Sequence, residues 1–531
     1  MTPQPACGVL LHPTSLPGRF GIGDIGPEAF RFVDWLAGSG QGFWQFLPLG
    51  PPGEGDSPYQ SLSAFAGSPL LISPEALAAE GLLSFDELQG AEGACAGSVG
   101  RVDFVLAERV KSRLLEAACD RFDELAATHP LQADFDAYRA LQAEWLDDFA
   151  LFMALREAND RQAWTSWHSG VDRQKGPLPD GAGQLRRRVR FHSFVQWLFG
   201  RQWQALRRYA NERGVRLIGD LPIYVSHDGA DVWANRDLFQ LAPDGLPSVV
   251  AGVPPDYFSE TGQLWNNPLY DWQANRQQGY AWWIQRVRAL LDRVDFIRLD
   301  HFRGYQAYWE IPAGALTAEQ GHWVPGPGAD LFEAIDRAIL SRPDERVAGH
   351  TSLPFIAENL GHITHDVDQL QRRLRLPGMI VLQFALTGAI EGDFNPAAID
   401  YNTVVYTGTH DNNTARGWLE EEVSRHPEQL DRIRRFVSAR PETVAWDLIE
   451  VAWRSSARLA MTTVQDLLNL GSPSRINRPG TITAQHPNWS WRVPPDSLSR
   501  HLQDRLAQLT SDTGRLQLQR QPIVRAELLP G

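Results

Sequence analysis

The stretch VDFIRLDHF, residues 294–302, is a short apolar run that ends in a charged residue, Asp300. Similar runs recur along the chain, each rich in Val, Ile, Leu or Phe and each followed by polar residues or by Gly and Pro. Fully buried parallel strands have this composition. The other runs, of which the first and the last are weaker, are residues 8–13, 42–51, 215–225, 355–361, 379–386, 404–411 and 462–468.

Helical patterns separate several of these runs. They cover residues 198–213, 278–293, 330–341, 365–374 and 444–460. Strand and helix alternate about eight times, which predicts a (β/α)8 barrel of the TIM type. We therefore expect residues 1–531 to form one catalytic barrel.

Three stretches interrupt the alternation and predict insertions on strand-to-helix loops, where barrel active sites lie. Residues 69–195 have mainly helical spacing. Residues 228–277 are loop-like, rich in Pro, Gly, Trp and Asn, and we place them over the active site. A third, small insertion is expected at residues 310–330.

Composition excludes several classes of function. The net charge of −14 disfavours nucleic acid and anionic membranes, since both require a positive field. No run approaches the ~20 apolar residues of a membrane span, and the first residues lack the basic start of a signal peptide. The three cysteines, Cys7, Cys95 and Cys119, are too far apart for a disulfide framework, which predicts a reducing, cytoplasmic compartment.

Acidic residues stand at the ends of the strand-like runs. Asp300 follows IRL, Glu358 lies in IAENLG, Asp411 lies in VYTGTHDNNT, and Asp220 lies inside IGDLPIYV. The carboxyl ends of parallel barrel strands meet on one face, so these side chains converge. Packing does not explain the cluster, because burying an unpaired charge costs several kcal/mol. Glycosidic-bond chemistry does explain it, since it uses two carboxyl groups on either side of the scissile bond.

Helix capping and metal binding account for these carboxylates less well. A single Asp at a strand end is often a helix cap or an arginine partner. His227, His301 and His410 each lie near a carboxylate, but no metal-binding spacing occurs, and we predict no metal. Arg298 lies two residues before Asp300, on the same side of the strand. We expect it to keep the pKa of Asp300 low, while apolar neighbours raise the pKa of Glu358.

The ordered motifs resemble the 4-α-glucanotransferases, called amylomaltase or disproportionating enzyme, of the α-amylase clan. The resemblance covers nearly all of residues 8–493. It rests on PLGPPGEGDSPYQSLSAFAGSPLLI, GDLPIYVSHDGADVWAN, GVPPDYFSETGQLWNNPLYDW, RLDHFRG, YWEIPAG, IAENLG, VLQFA, GTHDNNT, and INRPGT with NWSWR.

The resemblance implies a barrel with inserted subdomains, no separate C-terminal β-domain, no cofactor, and transfer of α-1,4-glucan segments between maltodextrins. It implies that Asp300 is the nucleophile, Glu358 the general acid/base and Asp411 the stabiliser of the transition state. It further implies a flexible loop at 252–266 over the acceptor groove. The residues that match sugar contacts of the family are Tyr59, Asp220, Gln263, Trp265, Arg298, His410 and Asn477.

The residues alone leave the outcome of the reaction open, because a retaining α-glucan hydrolase uses the same three carboxylates as a transferase. A catalytically silent glucan-binding barrel is the third alternative. The sequence also departs from the family pattern. Extra residues follow Gly480, the tail after Gly514 is an extension, and the substituted positions are Phe104, Asn266, Asn359 and Asn413.

Overall fold

A computed structural model describes the chain over residues 5–97, 100–167, 183–255, 260–340, 353–361, 363–388, 394–481 and 487–516. Its β-strands are β1 Ala6–Leu10, β2 Phe43–Gln45, β3 Arg216–Leu221, β4 Val249–Val253, β5 Gln263–Pro268, β6 Phe296–Leu299, β7 Ala307–Pro312, β8 His322–Pro325, β9 Phe355–Ala357, β10 Gly378–Val381, β11 Thr403–Tyr406 and β12 Leu459–Thr463.

Eight of these strands form one parallel sheet in the order β10-β11-β12-β1-β2-β3-β6-β9. The two end strands meet, because the Ala357 N–H donates to the Pro377 carbonyl at 2.8 Å. The sheet is therefore closed, which confirms the predicted (β/α)8 barrel. Apolar side chains fill its interior, including Phe43, Ile218 and Met461. The interior is thus a packed core and not a channel.

Helices lie around the barrel and in its insertions. They are α1 Pro27–Gly38, α2 Pro74–Ala79, α3 Phe85–Cys95, α4 Phe104–Asp123, α5 Pro130–Ala158, α6 Gly183–Glu212, α7 Ala230–Ala234, α8 Trp272–Gln277, α9 Ala281–Leu291, α10 Arg303–Gln306, α11 Gly328–Ile339, α12 His365–Leu374, α13 Leu382–Thr387, α14 Ala415–Gly417, α15 Leu430–Ile433, α16 Val444–Arg454, α17 Val464–Leu467 and α18 Arg500–Asp512. Over the residues that the structure describes, none of these helices has the length and hydropathy needed to cross a membrane.

The helix α12 shows why the barrel helices form where they do. Its Val367, Leu370 and Leu374 are buried, at the spacing of one helix face, while acidic residues begin the helix and arginines end it. Charges in these positions complement the helix dipole. Burial of this apolar face in the hydrophobic core then stabilises the helix.

Some predicted boundaries are wrong. The run 379–386 is a strand only to Val381 and continues as helix α13. The run 462–468 is the end of β12 followed by helix α17, and the helix predicted at 444–460 ends at Arg454. Short apolar runs do not distinguish a buried strand from a buried helical turn, because both bury every side chain.

The stretch 228–277 is not simply loop-like. It contains β4 and β5, which join β7 and β8 in a second, antiparallel sheet of order β5-β4-β7-β8. Residues 69–195 hold the helices α2 to α5 and the start of α6. The second sheet was missed because its short strands carry Gly, Pro and Asn, which are depleted in typical strands.

Candidate active site

Three neighbouring strands, β3, β6 and β9, bring Asp220 beside Asp300 and Glu358, which are two of the three predicted catalytic carboxylates. Asp220 lies opposite Arg298, and Leu299 lies opposite Ala357. The next pair in register is Asp300 and Glu358. The ladder continues through it, because the Glu358 N–H donates to the Leu299 carbonyl at 3.1 Å. The two carboxylates therefore stand side by side at the carboxyl end of the barrel.

One buried guanidinium faces three carboxylates. Arg298 Nη1 lies 2.8 and 2.7 Å from the two oxygens of Asp220 and 2.9 Å from Asp300 Oδ1. Its Nη2 lies 4.0 Å from Glu358 Oε2. The Arg298 and Asp220 side chains are 3% and 0% exposed. Because one cation faces three acids, a proton shared among them lowers the electrostatic energy.

The pKa values of both central carboxylates are raised. Burial raises the pKa of Asp300 to about 7, against the lowering effect of Arg298. Burial also raises the pKa of Glu358 to about 8, again against Arg298, and the charge of Asp300 adds to the increase. The expectation that Arg298 keeps the pKa of Asp300 low is therefore wrong, because the loss of water outweighs the ion pair. The pKa of Asp300 is still lower than that of Glu358, as expected, because Arg298 contacts Asp300 more closely.

His301 connects these two carboxylates. It directly follows Asp300, and its main-chain N–H donates to Glu358 Oε2 at 2.6 Å. Its φ of 47° lies in the left-handed region, which a non-glycine residue adopts rarely and often at functional sites. Its ring also lies nearly perpendicular to that of Trp265, with 4.9 Å between ring centroids.

Tyr59 joins Asp220 to His410. Its hydroxyl donates to Asp220 Oδ2 at 2.8 Å and also lies 2.8 Å from His410 Nε2. Because the single hydroxyl hydrogen goes to the carboxylate, His410 Nε2 is the donor to the Tyr59 oxygen. Burial lowers the pKa of His410 below its ordinary value. Burial thus favours the neutral imidazole, whose ring stacks on Tyr59 at 5.2 Å between centroids.

Asp411 is more open than the other acids, with 45% of its side chain exposed. It follows β11, and its Oδ1 accepts a hydrogen bond from Asn477 Nδ2 at 2.6 Å, while His410 Nε2 lies 3.4 Å from its Oδ2. Asn477 belongs to the segment after β12. The segment after β11 thus supplies an exposed carboxylate, and the segment after β12 supplies the amide that fixes its orientation.

Gln263 and Trp265 lie on β5 of the second sheet, and Trp265 Nε1 donates to Gln263 Oε1 at 3.1 Å. They reach the site through the contact of Trp265 with His301. The loop predicted at 252–266 is only partly described, and residues 256–259 of it lie outside the described part of the chain.

Three of the four substituted positions have a local structural reason. Asn266 has a φ of 61°, a conformation in which glycine and asparagine are favoured. Asn359 accepts from the Met379 N–H at 2.7 Å and donates to Gln371 Oε1 at 3.1 Å, so both ends of its amide are used across the β9–β10 junction. Asn413 donates to Ser472 Oγ at 3.0 Å. Phe104 lines a cleft together with Trp489, and nothing in the structure explains its substitution.

Sequence reasoning missed two residues near this site. Trp489 lies 5.9 Å from Tyr59 and 6.1 Å from His410, between ring centroids. Its motif, NWSWR, was the signal that could have identified it. Arg475 was also missed, and its Nη2 donates to the Asp411 carbonyl at 2.6 Å. Within the described ranges, no group of three or more His, Cys, Asp or Glu side chains is arranged to hold a metal ion.

A pair of carboxylates at the strand ends of a (β/α)8 barrel is the arrangement that enzymes of the glycoside-hydrolase type use. The sequence pattern of the 4-alpha-glucanotransferase family matches residues 11–499, and the chain belongs to that family.

Curated relatives match along almost the whole chain. The chain is 44% identical to a 4-alpha-glucanotransferase of Synechocystis sp. over 515 residues, which are 96% of this chain and 97% of the relative. It is 44% identical to the Thermus thermophilus 4-alpha-glucanotransferase, over 96% and 99% of the two chains. Among solved structures, amylomaltase from Streptococcus agalactiae in complex with acarbose superposes with a TM-score of 0.85 at 34% identity, covering 96% of this chain and 100% of that one.

Proposed function

We propose that this enzyme moves α-1,4-glucan segments from a donor maltodextrin to the 4-hydroxyl of an acceptor glucan or glucose, with retention of configuration. The proposal rests on the side-by-side position of Asp300 and Glu358, both facing Arg298, in a chain that belongs to this family. Donor maltodextrins, acceptor glucans and glucose are its partners, with no cofactor, metal, nucleic acid or membrane. Its compartment is cytoplasmic, in keeping with three free, buried cysteines.

The reaction has two displacement steps. Protonated Glu358 donates its proton to the glycosidic oxygen, and ionised Asp300 attacks the anomeric carbon from the opposite side. The bond to the leaving glucan breaks as the ester bond to Asp300 forms, which gives a β-linked glucosyl-enzyme. An acceptor 4-hydroxyl then attacks the same carbon, Glu358 takes its proton, and Asp300 leaves. Retention of this kind requires the two carboxyl groups about 5–5.5 Å apart.

The distribution of the proton between Asp300 and Glu358 suits the first displacement step. Arg298 contacts Asp300 directly but is 4.0 Å from Glu358, so it favours the charge on Asp300. Glu358 then keeps the proton, since its pKa is raised to about 8 by burial. Between the pKa of Asp300, about 7, and that of Glu358, about 8, the free enzyme holds the nucleophile ionised and the acid protonated, the combination that attack requires.

Asp411, Asn477 and His410 form the sugar-binding edge. Asp411 is exposed and oriented by Asn477, so its carboxylate is available to the hydroxyls of the distorted sugar. These bonds strengthen as positive charge develops on the ring, and they stabilise the transition state more than the ground state.

Arg298 and Asp220 belong to the site in a different way from the one the family pattern implies. Both are almost fully buried and are bonded to each other. We propose that they act through Asp300 and Tyr59, whose side chains they hold.

Transfer requires that an acceptor sugar, and not water, reaches the glucosyl-enzyme. Trp265 and Gln263 of the second sheet are the acceptor wall in this proposal, because the Trp265 ring meets His301 beside the nucleophile. An aromatic face packs against the C–H surface of a sugar and displaces water. The related amylomaltase from Streptococcus agalactiae was solved in complex with acarbose, which supports a glucan-type ligand for this enzyme.

Incubation of the protein with maltotriose tests the proposal. We expect glucose together with a ladder of longer maltodextrins, which requires transfer. Reducing ends without longer products would identify a hydrolase, and carbohydrate binding without any product would identify a silent glucan-binding barrel.

The same assay tests the nucleophile. Asp300→Asn should lower turnover by more than about a thousandfold, as loss of a covalent nucleophile does in other enzymes. Asp431→Asn, at a side chain that is 95% exposed, is the matched control and should leave turnover unchanged. Near-normal turnover of Asp300→Asn would disprove the assignment.

A further inference from the structure

We infer that Arg475 is a positioning residue, which holds Asp411 and Asn477 in the relative orientation that transition-state stabilisation requires, with Glu422 as its counter-ion. The inference rests on the function proposed above for Asp411. It concerns a residue outside the sugar-contacting set, in the segment SPSRINRPG.

The contacts of Arg475 join two loops. Its Nη2 donates to the main-chain carbonyl of Asp411 at 2.6 Å, and its Nε donates to the main-chain carbonyl of Asn477 at 2.7 Å. The loops follow the adjacent strands β11 and β12. One planar group therefore ties together the main chains of the two residues whose side chains meet in the Asn477–Asp411 hydrogen bond of 2.6 Å.

Asp411 needs such a support because packing does not supply one. Its side chain is 45% exposed, whereas that of Glu358 is 13% exposed. An exposed carboxylate on a loop is held only by its hydrogen bonds, and its main chain must be fixed before its side chain can be. The Arg475 side chain is only 19% exposed, so its bonds to both carbonyls are shielded from water.

The chemistry of the contact selects arginine. Donating to two carbonyls in fixed directions uses two nitrogens of a rigid fork, which a lysine ammonium on a flexible stem does not reproduce. A buried cation also needs a counter-charge. Glu422 Oε1 lies 3.8 Å from Arg475 Nη1 and supplies it.

The test compares two substitutions, Arg475→Lys and Arg475→Ala, with the same substitutions at Arg207. Arg207 is the matched control because it also donates to main-chain carbonyls, including that of Val294 at 3.1 Å, pairs with one acid, Asp295, and is 14% exposed. It lies at the other end of the barrel strands, where β6 begins. Turnover of maltotriose and the melting temperature are measured for all four variants.

We expect Arg475→Lys to lower kcat by up to about a hundredfold with little change in KM, the scale on which small misplacements act. The Arg207 variants should lose stability but keep kcat. Added guanidinium at a non-denaturing concentration should restore part of the kcat of Arg475→Ala, because it can occupy the space left between the loops that carry Asp411 and Asn477. It should not raise the kcat of Arg207→Ala, since the space left there is away from these loops.

Three results would overturn the inference. The first two are a wild-type kcat in Arg475→Lys and a kcat loss in the Arg475 variants no greater than that in the Arg207 variants. The third is failure of Arg475→Lys to fold, which would make Arg475 a determinant of stability. Asp411→Asn separates this inference from the proposed function. If Asp411→Asn keeps normal turnover, the role of Asp411 itself is wrong. If it abolishes turnover while Arg475→Lys does not affect kcat, only the positioning role of Arg475 is wrong.

Discussion

The main-chain N–H of His301 donates to the Glu358 carboxylate at 2.6 Å. Because His301 directly follows Asp300, this bond links the candidate acid to the candidate nucleophile through two residues of backbone. It favours the ionised form of Glu358, yet burial outweighs it and raises the pKa of Glu358 to about 8. The balance between these two effects determines the pH range in which the enzyme works.

The first prediction concerns the pH dependence of kcat/KM, which reports the ionisable groups of the free enzyme. Activity requires a proton on Glu358, so it should be lost on the basic side near pH 8, far above the ordinary value of 4.5. On the acidic side it should fall as Asp300 takes up a proton, near pH 7. Initial rates with maltotriose between pH 4 and pH 10 measure the profile. A basic limb below pH 6 would contradict the prediction.

The second prediction concerns stability. A carboxyl group whose pKa is raised on folding binds its proton more tightly in the folded state, so its contribution is present at low pH and is lost as pH rises through the folded value. For Glu358 that window runs from about 4.5 to about 8. Glu358→Gln cannot ionise, so its melting temperature relative to wild type should rise across this window and level off above it.

Thermal unfolding of wild type and Glu358→Gln at several pH values checks this expectation. Glu428→Gln, at an exposed side chain, is the control and should show no such trend. A difference in melting temperature that is the same at pH 5 and pH 9 would show that the pKa of Glu358 is not raised.

The third prediction concerns Tyr59→Phe. The substitution keeps the ring stacked on His410 but removes the hydroxyl between Asp220 and His410. A buried acceptor and a buried donor each lose a partner, which should cost about 1–3 kcal/mol in the free energy of unfolding. Urea denaturation measures it. Tyr209→Phe removes a hydroxyl bonded to the half-exposed Asp34 and should cost clearly less.

The fourth prediction concerns a buried ion pair away from the active site. Lys111 Nζ lies 2.6 Å from Asp24 Oδ2, and the two side chains are 2% and 8% exposed. Lys111→Met leaves the carboxylate unpaired and should destabilise the fold by about 3–5 kcal/mol at neutral pH. Burial already raises the pKa of Asp24 to about 6, so the loss should shrink at acidic pH as Asp24 takes up a proton.

A double substitution makes this fourth test specific. Adding Asp24→Asn to Lys111→Met removes the unpaired charge and should recover much of the lost stability. Arg31→Met, which breaks an exposed pair with Glu28, should change stability by less than about 1 kcal/mol. If Lys111→Met cost no more than Arg31→Met, the pair would not be buried in solution.

The barrel could be predicted from the sequence because its strands are short apolar runs with polar ends, a pattern that each strand carries by itself. The second sheet could not, because its central pair joins β4 to β7, which begins more than 50 residues after β4 ends. The convergence of Asp300, Glu358 and Asp411 followed from the geometry of parallel barrels. The contacts of Arg475 could not be predicted, because every residue has a main-chain carbonyl and such hydrogen bonds do not depend on the identity of the partner residue.

By itself, the sequence determined the barrel, the three carboxylates at its strand ends and the family, because these depend on the order of residues along the chain. Only the tertiary structure decided how the carboxylates share charge. Burial raises the pKa of Asp300 despite Arg298, removes Asp220 from solvent and leaves Asp411 exposed. Desolvation and ion pairing depend on distances through space between separate strands, and those distances exist only once the barrel has closed.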